Sequence, residues 1–69
     1  MQMTSVDSSN ISAIGYDPAT QELQVEFKNG TTYSYQGVTE GQYQELLNAP
    51  SVGRYFMANI RGTYPGTAL

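Results

Sequence analysis

Few side chains in this 69-residue chain are able to do acid–base or nucleophilic chemistry. They are six carboxylates, Asp7, Asp17, Glu22, Glu26, Glu40 and Glu45, and a scatter of serines. A general acid or base needs burial or a charged neighbour to bring its pKa toward neutrality. None of the six has such a setting in the sequence. Glu22 and Glu26 share the polar side of an alternating segment, and Glu40 falls in the first turn of a helical one, where it complements the helix dipole. Serine as a nucleophile needs a base, yet the chain has no histidine, and a serine–lysine pair would rest on Lys28. With no cysteine either, a disulfide framework, a zinc site with nitrogen and sulfur ligands and a thiolate nucleophile are all excluded. The seven glycines lack the spacing of a phosphate loop or dinucleotide fingerprint, and the acids lack EF-hand spacing. The expectation is a protein that is not an enzyme, uses no cofactor or metal, and acts by binding.

For binding, the residues of interest lie near the C-terminus. Arg54 and Arg61 stand seven apart, so a helix points them the same way, with Tyr55, Asn59 and Tyr64 nearby. Arginine beside aromatic residues suits both protein interfaces and RNA surfaces, because guanidinium groups stack and make paired hydrogen bonds. The plainer reading has the two arginines solvating an outer helix face while Tyr55 belongs to the core. Net charge is −3, the wrong sign for affinity that comes from neutralising phosphates. Nucleic-acid binding is therefore possible but disfavoured. A protein partner, or a second copy in a homo-oligomer, is preferred, since a domain this small buries only about 60% of its unfolded surface and gains from association. No apolar run approaches the roughly 20 residues of a membrane span, and no charged-then-apolar leader is visible, so a soluble cytoplasmic protein is expected.

The elements that must position these groups follow from periodicity. Residues 1–10 are polar and serine-rich and read as an N-terminal tail. Residues 11–62 read as one domain and residues 63–69 as a C-terminal tail. Ile11, Ala13, Ile14 and Tyr16 fit a first strand, followed by a turn at Asp17-Pro18-Ala19-Thr20. Residues 22–28 alternate strictly, with Leu23, Val25 and Phe27 on one side. Asn29-Gly30 signals a hairpin into a strand over 31–36 that carries Tyr33 and Tyr35. Thr39 begins a capping box with Gln42, opening a helix that ends before Pro50; Ser51 caps a second helix predicted to run through Arg61. The fold class is α+β, a three-stranded antiparallel meander followed by two short helices packed on one face.

Hairpin loop length decides what the tyrosines do, because a slip of one residue exchanges the faces. A two-residue Asn29-Gly30 loop puts Tyr33 and Tyr35 opposite the Leu23/Val25/Phe27 face, as an exposed aromatic platform. A three-residue Lys28-Asn29-Gly30 loop, with glycine at the bulge position, pairs Val25 with Tyr33 and Leu23 with Tyr35 and places the tyrosines in the core. The second register also collects Gln24, Glu26, Thr32, Ser34 and Gln36 on a uniformly polar face, and is the one expected.

The order Ile14-Gly15-Tyr16-Asp17, then Leu23-x-Val25-x-Phe27, then Tyr33-x-Tyr35, then Ser51-Val52-Gly53-Arg54-Tyr55-Phe56 resembles the KTSC domain, over roughly residues 8 to 64. That module is named for its occurrence at the C-terminus of some lysyl-tRNA synthetases, and the Tyr-x-Tyr pair is its hallmark. The resemblance implies a small bacterial or phage-borne module with a suggested role in RNA binding. Three functions are therefore carried forward: binding of another protein or of itself, binding of RNA or single-stranded nucleic acid through Arg54, Arg61 and exposed tyrosines, and an oligomer that captures a small nucleotide-like ligand.

Overall fold

The alternation of Leu23, Val25 and Phe27 with polar neighbours builds the middle strand of a sheet in a computed structural model, which describes residues 1–69. In chain order the elements are β1 (Met3–Ser5), β2 (Ile11–Asp17), β3 (Glu22–Phe27), β4 (Thr32–Gln36), α1 (Glu40–Asn48), α2 (Val52–Asn59) and β5 (Gly66–Ala68). The strands form a single antiparallel sheet in the order β1-β2-β3-β4-β5. Both helices pack on one face, so the α+β class holds, but the sheet has five strands rather than three. The segments expected as tails at residues 1–10 and 63–69 each supply an edge strand: β1 sets Met3 opposite Gly15, and β5 sets Gly66 opposite Tyr35. Three-residue strands are too short for alternation to be recognised, and their stability comes from the ladder they join.

The β3–β4 pairing takes the three-residue loop. Val25 faces Tyr33, Leu23 faces Tyr35, and the Phe27 amide donates to the Thr31 carbonyl at 2.8 Å. Gly30 has φ +92°, the left-handed conformation that the bulge position of this loop requires. In β2 a bulge between Ile11 and Ala13 puts Ile11 and Ile14 on the same face despite their odd separation. The core is then Ile11, Ile14, Leu23, Val25 and Tyr35 from the sheet side, closed by Val38 and by Leu46, Val52, Phe56 and Ile60 from the helical side.

The helix starts are local events. Thr39 Oγ1 accepts the Gln42 amide at 3.2 Å, and Ser51 Oγ accepts the Arg54 amide at 3.3 Å. The Gln42 side chain does not complete the expected capping box; its Nε2 donates instead to the Tyr55 hydroxyl at 3.2 Å, tying α1 to α2. Tyr43 stacks on Tyr16 with ring centroids 4.8 Å apart, and the Tyr16 hydroxyl donates to the Val38 carbonyl, which fixes the entry into α1 on the sheet. α2 is shorter than expected. It ends at Asn59, and the chain turns through Ile60, whose carbonyl accepts the Thr63 and Tyr64 amides, so Arg61 lies beyond the helix.

The solvent side of the sheet is polar and internally bonded. The Ser34 hydroxyl, in a residue buried on this face, donates to Glu22 Oε2 at 2.7 Å, Gln24 Nε2 donates to the same oxygen at 3.1 Å, and Gln36 Nε2 donates to Ser34 Oγ at 3.1 Å. The bonds from Ser34, first, and Gln24 hold the Glu22 carboxyl below its ordinary value of 4.5.

Two predictions follow from these contacts. A Cβ placed on Gly66 would stand 2.5 Å from Tyr35 Cε1, a ring fixed in the core. Gly66→Ala is expected to loosen β5, seen as hydrogen exchange about tenfold faster at the Leu69 amide, which donates to the Thr32 carbonyl at 2.8 Å; undiminished protection there would refute the close contact. The lowered Glu22 pKa means that its network contributes stability fully present above the ordinary value of 4.5 and lost as pH falls through the lower folded value. Ser34→Ala should return the Glu22 titration, followed by carboxyl NMR, toward 4.5 and flatten that acid-side loss. A titration that does not move would show that the hydroxyl is not its cause.

Candidate functional site

All three cations of the chain line one groove. It runs along the exposed side of α2 and has two lobes of about 570 and 670 Å³, joined where both are bounded by Ser9, Asn10 and Met57. The first lobe lies at the start of α2, with Arg54 on one side and the loop from Asp7 to Asn10 on the other. The second holds Arg61 and Lys28, and its floor is aromatic: Phe27, Tyr33, Tyr35 and Phe56. The chain has six acids, yet only Asp7 borders the groove, and none borders the second lobe.

Each part is positioned by a separate feature. The floor follows from the hairpin register, which turns Phe27, Tyr33 and Tyr35 toward the helices. Phe27 meets Tyr33 and Phe56 edge-on at 6.0 and 5.6 Å, Tyr35 meets Phe56 edge-on at 5.4 Å, and Tyr33 and Tyr35 lie near-parallel at 6.3 Å. Lys28 is the first residue of the three-residue hairpin loop and so projects at the rim. Met57 is 52% exposed, a large apolar side chain left in solvent on a chain with a small core. It stands three residues after Arg54 and four before Arg61, and the Arg61 guanidinium donates to its sulfur at 3.5 Å.

The tyrosines divide by environment. Tyr35 is 5% exposed, but its hydroxyl makes no hydrogen bond within the chain, and no buried side-chain oxygen lacks a partner, so that hydroxyl reaches the groove. Burial, foremost, and neighbouring Tyr33 push the Tyr35 phenol above its ordinary 10.0, while Arg61 pulls it the other way. Both Arg61 and Tyr35 line the second lobe. The expected core role of Tyr33 and Tyr35 agrees with the half-buried and buried positions they take.

The five residues singled out near the C-terminus are not one cluster. Arg54 and Arg61 share the groove, in different lobes. Tyr55 is half-buried between the helices, its hydroxyl donating to Glu45 Oε2 at 2.8 Å and accepting from Gln42; burial, then this bond to Glu45, raises its pKa. Asn59 Nδ2 donates to the Tyr55 carbonyl at 3.2 Å, within the last turn of its own helix. Tyr64 is half-buried against the core near Gly37. Lys28, Phe27 and Met57 were not anticipated. Only Met57 carried a signal, as an apolar residue set between two arginines on a helix face opposite Tyr55 and Phe56. No three carboxylates approach one another as metal ligands, and no helix is long and apolar enough to cross a membrane.

Comparison with known proteins places this geometry. The model of the KTSC domain family matches residues 7–64. An uncharacterised protein of Stutzerimonas stutzeri is 43% identical over 56 residues, covering 81% of this chain and 79% of the relative. A lysine–tRNA ligase of a Nostoc species is 43% identical over 58 residues, covering 84% of this chain, which spans 10% of the ligase. The crystal structure of a KTSC domain protein from Yersinia pestis superposes with a TM-score of 0.93 at 39% identity, covering 99% of this chain and 96% of that one.

The position of Arg61 can be checked directly. Arg61→Gln removes the charge that lowers the Tyr35 phenol, so Tyr35 should titrate higher, read from ring-carbon NMR, while Tyr16, whose raised pKa has no contribution from Arg61, stays where it is. Equal movement of both, or of neither, would place Arg61 away from the ring.

Proposed function

The chain belongs to the KTSC domain family, and on that premise we propose that it is a small non-catalytic binding module that holds another protein in the groove along α2. The observation that carries this reading is the segregation of charge: three cations on one groove in a chain of net charge −3. Arginine, tyrosine and methionine, the residues that supply the groove, are also those enriched in protein interfaces. A second copy of the chain is one partner of this kind.

Binding of RNA is the second reading. It is favoured by the same three cations and by the similarity to one tenth of a lysine–tRNA ligase, whose activity belongs to the whole ligase. Against it stand the net charge and the use of the ring faces. Single strands bind by stacking bases on free aromatic faces. Tyr35 is instead packed against Gly66 and the edge of Phe56, and Phe27 lies between Tyr33 and Phe56.

A photo-reactive residue in place of Met57, compared with the same residue in place of Gln24 on the opposite sheet face, tests both readings in bacterial cells. The expected adduct forms from position 57, resists ribonuclease, is digested by protease and is lost when Arg54 and Arg61 are both changed to Glu. Sedimentation of the purified chain then shows whether the partner is a second copy. A ribonuclease-sensitive adduct would transfer the groove to the RNA reading. Equal labelling from both faces would remove the groove as the working surface.

A further inference from the structure

Resting on the reading of the groove as a protein-binding surface, we infer that its occupant is an extended acidic peptide segment whose two carboxylates, three residues apart, are held by Arg54 and Arg61. The first ground is charge complementarity. Lys28 and Arg61 border the second lobe with no acid beside them, and Arg54 borders the first with Asp7 across from it. No hydrogen bond joins any of these cations to a carboxylate of the chain; the one partner of the Arg61 guanidinium is the Met57 sulfur. Three exposed cations with no ion pair inside the chain are complementary to an anion brought from outside.

The second ground is the sense of the other polar groups, which are largely donors. The hydroxyls of Tyr33 and Tyr35 have no partner in the chain. Asn29 uses its Oδ1 to accept the Thr31 amide at 3.0 Å, which leaves its NH₂ to donate. Ser8 Oγ already accepts the amides of Asn10 and Ile11, both at 3.3 Å, which leaves its O–H. A surface of cations and unspent donors matches a ligand rich in acceptor oxygens, and a carboxylate takes a guanidinium in a paired, planar fit.

The third ground is spacing. Arg54 lies in the first turn of α2 and Arg61 follows the C-cap Ile60, whose backbone is still αR and whose amide still bonds to the Phe56 carbonyl, so about two helical turns, or about 10 Å, separate them along the groove. An extended chain advances about 3.1 Å per residue in the polyproline conformation, with every third side chain on the same side, so carboxylates at positions i and i+3 match that distance. The two residues between them pass over the exposed Met57 side chain, which favours apolar residues there. The packing of Tyr35 and Phe27 described above leaves little aromatic surface for base stacking, which favours the carboxylate peptide over a single strand.

The test uses the full chain, labelled with ¹⁵N, and four probes: a capped peptide containing Glu-Pro-Ala-Glu, the same peptide with Gln in place of both Glu, the same with Lys, and a nine-nucleotide oligo-uridine. The Glu peptide is expected to move the amides of Asn10, Lys28, Met57 and Arg61, to bind about tenfold more weakly to Arg54→Gln or Arg61→Gln, and to weaken steeply with salt. Asp7→Asn removes the one competing acid and should tighten binding by about twofold to threefold, a gain that a misfolded variant would not show. Thermal melting of each variant within a few degrees of the parent confirms the fold, as expected for exposed positions. Equal binding of the Gln peptide, or shifts confined to the outer sheet face, would overturn the inference. If none of the peptides binds while the protein adduct from position 57 persists, this inference fails and the protein-binding reading stands. If only oligo-uridine moves the groove amides, both fail and the RNA reading takes their place.

Discussion

The rest of the molecule depends on the register of the β3–β4 hairpin. A loop of three residues, closed by a glycine at φ +92°, sets Tyr33 opposite Val25 and Tyr35 opposite Leu23. Shifted by one residue, both tyrosines would leave the helical face, and Phe56 would lose the ring it meets edge-on at 5.4 Å. Three aromatic contacts, Phe27–Tyr33, Tyr33–Tyr35 and Tyr35–Phe56, follow from this register, each adding about 0.5–1.5 kcal/mol beyond the apolar area buried. For a chain of 69 residues that is a substantial share of a small stability.

The same register builds the groove. By drawing the tyrosine rings inward it leaves Tyr35 buried and Tyr33 half-buried, with both lining the aromatic floor of the groove. Lys28 on the hairpin loop and Arg61 on the turn beyond α2 stand around that floor, and Arg54 on α2 borders the adjoining lobe. The acids lie mostly elsewhere. Glu22 is engaged in the network on the outer sheet face, and Glu45 is tied to Tyr55 between the helices. The polarity of the molecule is thus divided between a bonded, acidic sheet face and an open, basic groove.

Much of the fold could be read before any coordinates were known, for reasons that are local. Both helix caps, at Thr39 and Ser51, involve residues three apart in the chain, and strict alternation over 22–28 specified the face of β3. The loop length was legible because only one register sorts Gln24, Ser34 and their neighbours to a common side. The edge strands were not legible, since Met3–Ser5 and Gly66–Ala68 carry no periodicity and take their conformation from the strands they join. The end of α2 was expected two residues late, at Arg61, whereas the turn around Ile60 ends the helix at Asn59.

The candidate site was half legible. Arg54 and Arg61 were found by their seven-residue spacing, but Tyr55, Asn59 and Tyr64 were grouped with them by nearness in sequence, and each is bonded or packed elsewhere. By itself, the sequence determined that histidine and cysteine are absent, the caps, and the faces of its central strands, because composition, capping and alternation act within a few residues. Only the tertiary structure decided that Lys28, 33 positions before Arg61, would stand in the same groove above the same aromatic floor. That meeting depends on how two layers pack, and no pattern along the chain encodes the distance between residues that packing alone brings together.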